Sequence, residues 1–402
     1  MTRLAEPCFP AESLTSPPCP FFEECGACQF QHVAPDAYQT WKEKSVRDLM
    51  DQNGIVPDTW LPSVFIGAGT RRRVAISALR DGDHGLILGF HRYHEHTIAP
   101  VDACMLLTPV LDKIYKKLPD VLPSLLPKGV QVDILLQEAD GGAVDCVISG
   151  LAERDDAKLG AKQTSLVAAL AEACDLRRVS FKETDHSQPL TQVELDKMTK
   201  TSGALKVEIS PGAFLQPSVA GEEALSSAVM AALGKISKKD HVLDLFSGCG
   251  TFAGRVLEKC QVHAVEGDFG MANSLKIAAK GYTRFTAEAR DLFKEPMSVR
   301  EMRPYQAVIF DLNIPGKQAL SRLLEEWKGF LREGYIYGAI DVPINYPGLG
   351  QVYDLVSKNG FFMAGFMPYH FSRQLCFRFQ FLLPTKVNFA ALKLPSETGK
   401  RL

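Results

Sequence analysis

The sequence predicts an α/β protein in which a Rossmann-like, seven-stranded domain follows a β-rich domain and an N-terminal cysteine loop. Three observations carry this prediction. Strand and helix patterns alternate after about residue 206, antiparallel strand patterns precede that point, and cysteines cluster near the start of the chain. We therefore expect three units, at residues 1–60, 61–205 and 206–402.

Composition places the chain among folded proteins, since 46% of its residues are hydrophobic and 23% are charged. Lys and Arg together number 45 against 47 for Asp and Glu, a net charge of −2. A nucleic-acid partner would therefore need a local basic patch. The sequence contains neither a secretory leader nor a run of about 18 apolar residues, so we expect a cytoplasmic monomer without a membrane partner.

The first half begins with a Pro- and Cys-rich segment that lacks hydrophobic periodicity, so a bound metal would have to supply its order. A helical pattern follows over Ala37–Asn53. The stretches after it alternate apolar and polar residues, with turns at Asp81-Gly82 and Asp140-Gly141-Gly142, which predicts antiparallel strands. They are RRRVAISAL, LILGFHRY, HTIAPVDA, VQVDILLQEAD and GAVDCVISG.

The second half predicts a parallel sheet with crossover helices. The segment joining the last two strands is too short for a crossover helix, so these two strands should pair antiparallel. The predicted strands are His241–Phe246, Val262–Asp268, Thr283–Asp291, Ala307–Asn313, Tyr335–Asp341, Phe361–Tyr369 and Cys376–Pro384. The predicted helices between the first six strands are Thr251–Lys259, Gly270–Lys280, Lys294–Met302, Gly316–Phe330 and Leu349–Lys358.

Cys19, Cys25 and Cys28 form a C-x5-C-x2-C array, and Cys104 is available as a fourth thiolate. Thiolates so close together select zinc or an iron–sulfur cluster, both of which take four of them. Zinc sites usually present paired knuckles, whereas here three ligands share one loop, so the pattern is closer to an iron–sulfur cluster. Coincidence is the third alternative.

A Gly-containing turn follows the first strand of the second half, between Phe246 and Thr251, and opens a helix. Such a turn lets a ligand approach the backbone at the carboxyl end of a strand. Glu266 ends the next strand, where a carboxylate takes ribose hydroxyls, although it could instead cap the following helix. Asp291 and Asp311 end the third and fourth strands. Asp244 precedes the turn, which lacks full G-x-G-x-x-G spacing, so S-adenosylmethionine is favoured over a dinucleotide.

With these motifs the chain resembles the RNA 5-methyluridine methyltransferases, bacterial iron–sulfur enzymes that methylate carbon 5 of uracil in ribosomal or transfer RNA. The resemblance covers nearly the whole chain and includes the cysteine array, Arg71-Arg72-Arg73, Gly89-Phe90, Gly212–Pro217, DLFSGCGTF and VEGD. It implies a Rossmann-like methyltransferase domain, an S-adenosylmethionine cofactor, and a [4Fe–4S] cluster on Cys19, Cys25, Cys28 and Cys104. It also implies cofactor or uracil contacts for Gln216, Phe246, Thr251, Glu266, Asp291 and Asp311.

The chain departs from this family on the reaction side. The family adds a Cys thiolate to uracil carbon 6 and later removes the carbon 5 proton with a Glu. An ungapped alignment puts Ile344 at the Cys position and Cys376 at the Glu position. The catalytic residues are therefore unknown from the sequence. Cys376 could act as a relocated nucleophile, but a half-buried apolar cysteine is the commoner explanation.

Three functions remain open at this stage. One is an RNA methyltransferase with an altered catalytic site or target atom, and another is a non-catalytic iron–sulfur protein that binds RNA. A third, use of the cofactor pocket for other chemistry, is also compatible with the motifs. For RNA contact the densest basic run is Arg71, Arg72 and Arg73, which would suit phosphates, although a solvated strand face explains the same residues.

Overall fold

The computed structural model describes residues 9–52, 62–82, 85–93, 95–151, 161–183 and 187–313, together with three strands at 336–343, 363–369 and 376–382. Two seven-stranded sheets and one hairpin organise this part of the chain. Within it, no helix has the length and apolar character that crossing a bilayer requires.

The N-terminal loop packs on α1 (Pro35–Gln52), which confirms the predicted helix. Aromatic rings hold the two together: Phe30 and Trp41 lie with ring centroids 4.9 Å apart, and Phe9 meets Trp41 edge-on at 5.6 Å. These contacts between partly buried rings contribute to the order of the segment, and the metal that was expected to order it stays a proposal. The aromatic residues of the segment are spaced without period in the sequence, so only the folded loop brings them together.

The first sheet has the strand order β3-β2-β1-β4-β5-β6-β7. Helices α2 (Pro109–Leu125) and α3 (Ala161–Cys174) cover one face, where Val74, Ile76 and Ile134 join a common core with residues of both helices. The alternate residues therefore face the other side. The strands are β1 (Arg73–Asp81), β2 (Gly85–His91), β3 (Ile98–Pro100), β4 (Gln131–Glu138), β5 (Val144–Ser149), β6 (Arg178–Lys182) and β7 (Leu190–Glu194).

The predicted antiparallel pairing of β1 to β5 is confirmed. The pair β5–β6 is parallel, which the sequence analysis did not predict. The cause is α3, which joins these two strands and acts as a crossover helix.

A hairpin, β8 (Thr199–Ser202) and β9 (Leu205–Glu208), leads into α4 (Val219–Leu233). Leu205 and Val207 of the hairpin pack in the core of the second sheet. In the sequence the hairpin continues the β-rich half, whereas its side chains pack in the core of the second half. The unit boundaries at residues 60 and 205 stay a proposal.

The second sheet has the order β12-β11-β10-β13-β14-β16-β15, in which all neighbours are parallel except those of β16. This confirms the Rossmann-like prediction, including the antiparallel last pair. The elements are β10 (His241–Leu245), α5 (Ala253–Leu257), β11 (Gln261–Glu266), α6 (Phe269–Ala278), β12 (Phe285–Ala289), α7 (Val299–Met302), β13 (Ala307–Asn313), β14 (Ile336–Pro343), β15 (Met363–Tyr369) and β16 (Cys376–Leu382).

Two predicted helices are much shorter than expected, and the first, Thr251–Lys259, is helical only over Ala253–Leu257. The pattern over Lys294–Met302 becomes a helix only from Val299, because Pro296 disfavours helical backbone in the residue before it. The helices predicted at Gly316–Phe330 and Leu349–Lys358 lie outside the described residues. Strand β10 lies between β11 and β13, so the crevice at its carboxyl end is where ligands bind in such sheets.

Candidate functional site

The turn after β10 keeps its backbone open at the carboxyl edge of the sheet. Phe246, Gly248 and Gly250 have positive φ angles of 57°, 53° and 77°. At Gly250 an added Cβ atom would lie 2.8 Å from Cδ2 of Leu275, so a side chain at this position would clash with α6. The local sequence therefore produces the Gly turn that was predicted to admit a ligand.

Asp244 is buried directly before this turn. Its Oδ2 atom accepts a hydrogen bond of 3.0 Å from the backbone N–H of Ala253, which fixes the start of α5. Within the described part of the chain its Oδ1 atom has no hydrogen-bond partner. Burial raises the pKa of this carboxyl to about 8, and the nearby charge of Glu266 acts in the same direction.

Glu266 lies at the end of β11 and faces the Gly turn. Its Oε2 atom accepts from the backbone N–H of Gly248 at 2.6 Å and its Oε1 atom from that of Asp268 at 2.9 Å. The alternative role as the cap of α6 is filled by Asp268, whose Oδ1 accepts from Met271 N at 2.8 Å. Glu266 is thus held by the two strand ends beside the place predicted for a ribose.

Two aromatic rings form a wall beside the turn. Phe246 and Phe293 lie with ring centroids 5.2 Å apart at an angle of 43°. Phe293 was missed from the sequence, although an aromatic residue just after the third strand is a usable signal. Such rings suit an apolar, planar group like a purine.

Gln216 and Asp311 connect the segment before α4 to the end of β13. The side-chain N–H of Gln216 donates to Oδ2 of Asp311 at 3.3 Å. Gln216 is buried, and its own backbone carbonyl accepts from Nε of Arg72 at 2.9 Å. Two predicted site residues from distant parts of the chain are thereby brought together.

A cavity of about 710 Å³ runs from this turn to the helix-free face of the first sheet. Its volume is at the upper end of the range for small-molecule sites, roughly 300–1,000 Å³. Five of the six predicted cofactor or uracil contacts line it: Gln216, Phe246, Thr251, Glu266 and Asp311. From the first sheet it receives Arg73, Ala75, Asp133, Leu135, Val147, Ser149 and Lys182.

Asp291 is placed differently from the other five. It is not among the described residues that line the cavity. Its Oδ2 atom contacts Nζ of Lys294 at 2.8 Å, and its Oδ1 atom accepts from the backbone N–H of Phe293 at 3.1 Å. Lys294 lowers the pKa of this carboxyl. The third strand end therefore presents Phe293, and not the acid, to the cavity.

The three consecutive arginines point to three different environments. Arg72 is 5% exposed, and its Nη2 atom contacts Oε2 of Glu222 at 2.5 Å. The prediction that Arg72 contacts RNA phosphates is therefore wrong, because a buried ion pair occupies its guanidinium. Nζ of Lys200 contacts the other carboxylate oxygen of Glu222, also at 2.5 Å.

Arg73 and Arg71 flank Arg72 in the sequence and have other neighbours. Arg73 lines the cavity, and its guanidinium lies 5.2 Å from the ring centroid of Phe214. Phe214 is 52% exposed, which makes it an accessible aromatic surface in the cavity. Arg71 is directed toward the cysteines: burial lowers its pKa to about 10, while Cys104 and Cys28 act against that shift.

The structure brings Cys19, Cys25, Cys28 and Cys104 into one neighbourhood. Burial, with smaller contributions from the other three thiols, raises the pKa of Cys25 to about 11. All four are free and half-buried. Within the described ranges, however, no three His, Cys, Asp or Glu side chains converge closely enough to hold a single metal ion.

The reaction side is only partly described. Ile344, which the ungapped alignment puts at the family's nucleophile position, lies outside the described residues. The backbone of Cys376 pairs with Pro343, the last residue of β14. Because β16 runs antiparallel to β14, this register places Cys376 at the same edge of the sheet as the carboxyl ends of the parallel strands.

No family model matches the chain. It is 33% identical over 299 residues to an uncharacterized RNA methyltransferase of Brucella suis, covering 74% of this chain and 68% of that one. It is 28% identical over 326 residues to the 23S rRNA (uracil(1939)-C(5))-methyltransferase RlmD of Halomonas elongata, covering 78% of this chain and 66% of that one.

One solved structure shares the fold over most of the chain. It is the Pyrococcus abyssi tRNA (uracil-54, C5)-methyltransferase in complex with S-adenosyl-L-homocysteine. The TM-score is 0.65 at 16% identity, covering 91% of this chain and 86% of that one.

Proposed function

Because the chain belongs to the RNA methyltransferase family, we propose that it transfers a methyl group from S-adenosylmethionine to uracil carbon 5 in ribosomal or transfer RNA. The observation that carries the proposal is the shared cavity. It joins the Gly turn and Glu266 at one end to an exposed aromatic residue, Phe214, and a face of the first sheet at the other. Such a space suits a cofactor and an extruded base together.

The donor groups at the turn fit S-adenosylmethionine, whose sulfonium supplies an electrophilic methyl group. Glu266 offers carboxylate oxygens for ribose hydroxyls, while Phe246 and Phe293 offer an apolar wall that excludes water. Thr251 and the pair Gln216–Asp311 complete the set. Asp291, whose Oδ2 atom contacts Nζ of Lys294, lies outside the described lining of the cavity.

Methylation of carbon 5 needs activation of the ring, since uracil carbon 5 is a poor nucleophile until a thiolate adds to carbon 6. Ile344 cannot supply that thiolate. This single substitution favours the second candidate function, an RNA-binding protein without transferase activity. Cys376 is the cysteine whose strand register brings it next to residue 343, so it is the first residue to test.

The two candidates are separated by one assay on anaerobically purified protein. Tritiated S-adenosylmethionine is incubated with ribosomal and transfer RNA from cells that lack this protein, and the nucleosides are identified by mass spectrometry. The proposal expects labelled 5-methyluridine. RNA binding without any label would support the second candidate, and label on another base would move the target atom.

A companion measurement asks whether a covalent step occurs. RNA containing 5-fluorouridine cannot release a proton from carbon 5, so a thiolate adduct formed with it should persist through denaturation. The Cys376→Ala variant should lose the adduct if this cysteine is the nucleophile, whereas Cys174→Ala, a buried cysteine on α3, should keep it.

We also propose that Cys19, Cys25, Cys28 and Cys104 hold a [4Fe–4S] cluster. Support comes from the proximity of four half-buried thiols and one cationic side chain, Arg71. In such a cluster each cysteine binds a different iron, so the sulfurs do not converge on one point as they do around zinc. That difference is compatible with the lack of a single-ion site among the described residues.

Iron, acid-labile sulfide and zinc are measured on the anaerobic protein to test the cluster. We expect about four irons and four sulfides per chain, lost in Cys28→Ala and kept in Cys174→Ala. One zinc per chain, or no metal, would contradict the cluster. RNA as partner follows from the family; the cytoplasmic location and the monomeric state stay predictions.

A further inference from the structure

A row of polar side chains crosses the face of the first sheet that lines the cavity. Ser77 in β1 is opposite Asp133 in β4, Asp133 is opposite Ser149 in β5, and Ser149 is paired with Lys182 in β6. Residues paired across neighbouring strands project to the same face. We name Ser77, Asp133, Ser149 and Lys182 the open row. Asp133, Ser149 and Lys182 line the cavity.

A hydrogen-bonded chain through Ser77 and His91 fixes the Asp133 carboxylate of the open row. The Ser77 hydroxyl donates to Oδ1 of Asp133 at 2.5 Å, and Nε2 of His91 lies 2.9 Å from the same hydroxyl oxygen. Nδ1 of His91 donates to the backbone carbonyl of His96 at 3.0 Å, and because the Ser77 proton is given to Asp133, the Ser77 oxygen accepts from Nε2, so both ring nitrogens of His91 donate. Ser77 is 3% exposed, whereas Asp133 is exposed to the cavity. The Asp133 carboxylate is thus held in one orientation by Ser77.

A second polar row on the same face has a different environment. Gln137 Nε2 donates to the carbonyl of Ala213 at 2.8 Å, and Asp145 Oδ2 accepts from Gly212 N at 2.8 Å. Arg178 Nη1 donates to the carbonyl of Ile209 at 2.8 Å. These side chains are buried and hold the segment that carries Gln216, so their role is structural.

The open row meets the cavity at Asp133, Ser149 and Lys182, beside Ser187 and Pro189 of the segment before β7, and an apolar strip lies between the two rows. The strip consists of Ala75, Leu135 and Val147, which are paired across β1, β4 and β5 and line the same cavity. Hydrogen-bonding groups beside an apolar strip are what a nucleotide requires: polar groups for its edge and backbone, and an apolar surface for its ring.

We propose that the open row is a subsite for the single-stranded RNA that flanks the target nucleotide. Asp133 accepts a hydrogen bond from a base N–H, Lys182 contacts a phosphate, and the apolar strip packs against a base. Ser77 and His91 are positioning residues for Asp133. Crossing from β1 to β6 covers about 14 Å at ~4.8 Å per strand, enough for about four stacked nucleotides. This inference rests on the proposed function.

Replacing the Asp133 carboxylate should change RNA affinity in a direction that distinguishes this proposal from an ordinary solvated surface. On an ordinary solvated face, removing a negative charge near RNA strengthens binding, because phosphates are repelled by carboxylates. If Asp133 instead accepts a hydrogen bond from a base, replacing it weakens binding. A hydrogen bond to a charged group is worth about 1.5–3 kcal/mol, roughly a 10- to 100-fold change in affinity.

The test uses the whole chain and an eight-nucleotide oligouridylate as the probe, with the dissociation constant measured by fluorescence anisotropy. Asp133→Asn should bind about tenfold or more weakly, and Ser77→Ala should shift affinity in the same direction by less. The matched control is Asp120→Asn, an exposed acid on α2 at the opposite face of the sheet, which should not change affinity.

Lys182 is tested through salt dependence. Lys182→Ala should reduce the slope of log affinity against log salt by about one, while Lys116→Ala on α2 should leave it unchanged. Thermal unfolding of each variant reports on folding separately from binding.

Two outcomes overturn the inference: unchanged or tighter binding by Asp133→Asn, or an unchanged salt slope for Lys182→Ala. Calorimetry with S-adenosylhomocysteine on the wild-type chain keeps this separate from the proposed function. A wild-type chain that binds neither S-adenosylhomocysteine nor RNA removes the proposed function itself. A wild-type chain that binds both, with variants equal to it, removes only the open row as an RNA subsite.

Discussion

Arg72 in the segment that leads into β1 and Glu222 in α4 form a buried ion pair, with Nη2 and Oε2 at 2.5 Å. Arg72 also donates from Nε to the carbonyl of Gln216 at 2.9 Å, and from its backbone N–H to that of Pro217 at 2.8 Å. One side chain therefore ties the first sheet to the segment that carries a predicted cofactor residue and to the helix behind it. Lys200 shares the Glu222 carboxylate.

Replacing Arg72 by Leu should lower the free energy of unfolding by about 3 kcal/mol, since removing one partner of a buried ion pair leaves the other uncompensated. Lys200 limits the loss because it stays on Glu222. Urea denaturation measures this change in the free energy of unfolding. The control Arg255→Leu breaks an exposed pair with Glu223 and should cost less than about 1 kcal/mol. Equal losses in the two variants would contradict the structural role of the buried pair.

Asp244 should make stability depend on pH. Its pKa is raised from 3.8 to about 8 in the fold, so the native state holds a proton that the unfolded chain releases. The free energy of unfolding should therefore fall as pH rises from about 4 through 8. Asp244→Asn should flatten this slope between pH 5 and 8, as measured by urea denaturation at several pH values.

The matched control for that titration is Asp240→Asn. Hydrogen bonds from Ser237 lower the pKa of Asp240, so its titration lies below this window and the slope should stay as in the wild type. A wild-type stability that rises between pH 5 and 8, with Asp244→Asn following the same course, would show that Asp244 is charged in the folded protein.

Glu266→Gln should weaken S-adenosylhomocysteine binding by about 10- to 100-fold. The carboxylate accepts from the backbone N–H groups of Gly248 and Asp268, whereas the amide that replaces it brings its own donors to the same place. Isothermal calorimetry measures the dissociation constant. Glu288→Gln on the neighbouring strand β12 changes the same chemistry beside His263, outside the cavity lining, and should bind like the wild type. Equal affinity in all three proteins would remove Glu266 from the cofactor site.

Phe214→Ala should weaken binding of an oligouridylate by about tenfold, since stacking of a base on an aromatic ring is worth about 1–3 kcal/mol. Phe214→Trp should retain the affinity. Phe269 on α6, 77% exposed and outside the cavity lining, supplies the matched Phe→Ala control. S-adenosylhomocysteine affinity should be the same in every variant, and a parallel loss there would mean that Phe214 supports the cofactor end.

The sequence predicted the second sheet well because its strands are short apolar runs separated by helices, a pattern that leaves few topologies. It predicted less about where side chains point. Asp291 follows the third strand as expected, yet its carboxylate is taken by Lys294 and Phe293 occupies the cavity wall. Position after a strand end specifies a neighbourhood, whereas the local backbone path and side-chain partners decide which residue of the segment faces the ligand.

The run Arg71–Arg73 also shows that the sequence predicts little about where side chains point. Three adjacent arginines look like one patch in the sequence, but the structure directs Arg71 to the cysteines, Arg72 into a buried ion pair and Arg73 to the cavity. Alternation along an extended chain sends neighbouring side chains to opposite faces. The partner of Arg72, Glu222, lies more than a hundred positions away in the sequence.

By itself the sequence determined the order of the described strands and helices in the second half, the Gly turn and the cysteine array, because these depend on local periodicity, on φ angles open to glycine and on short spacings. Only the tertiary structure decided the polar row from Ser77 to Lys182 and the shared cavity. Their residues are paired across strands distant in sequence, and cross-strand register is fixed by packing of the whole sheet on its helices.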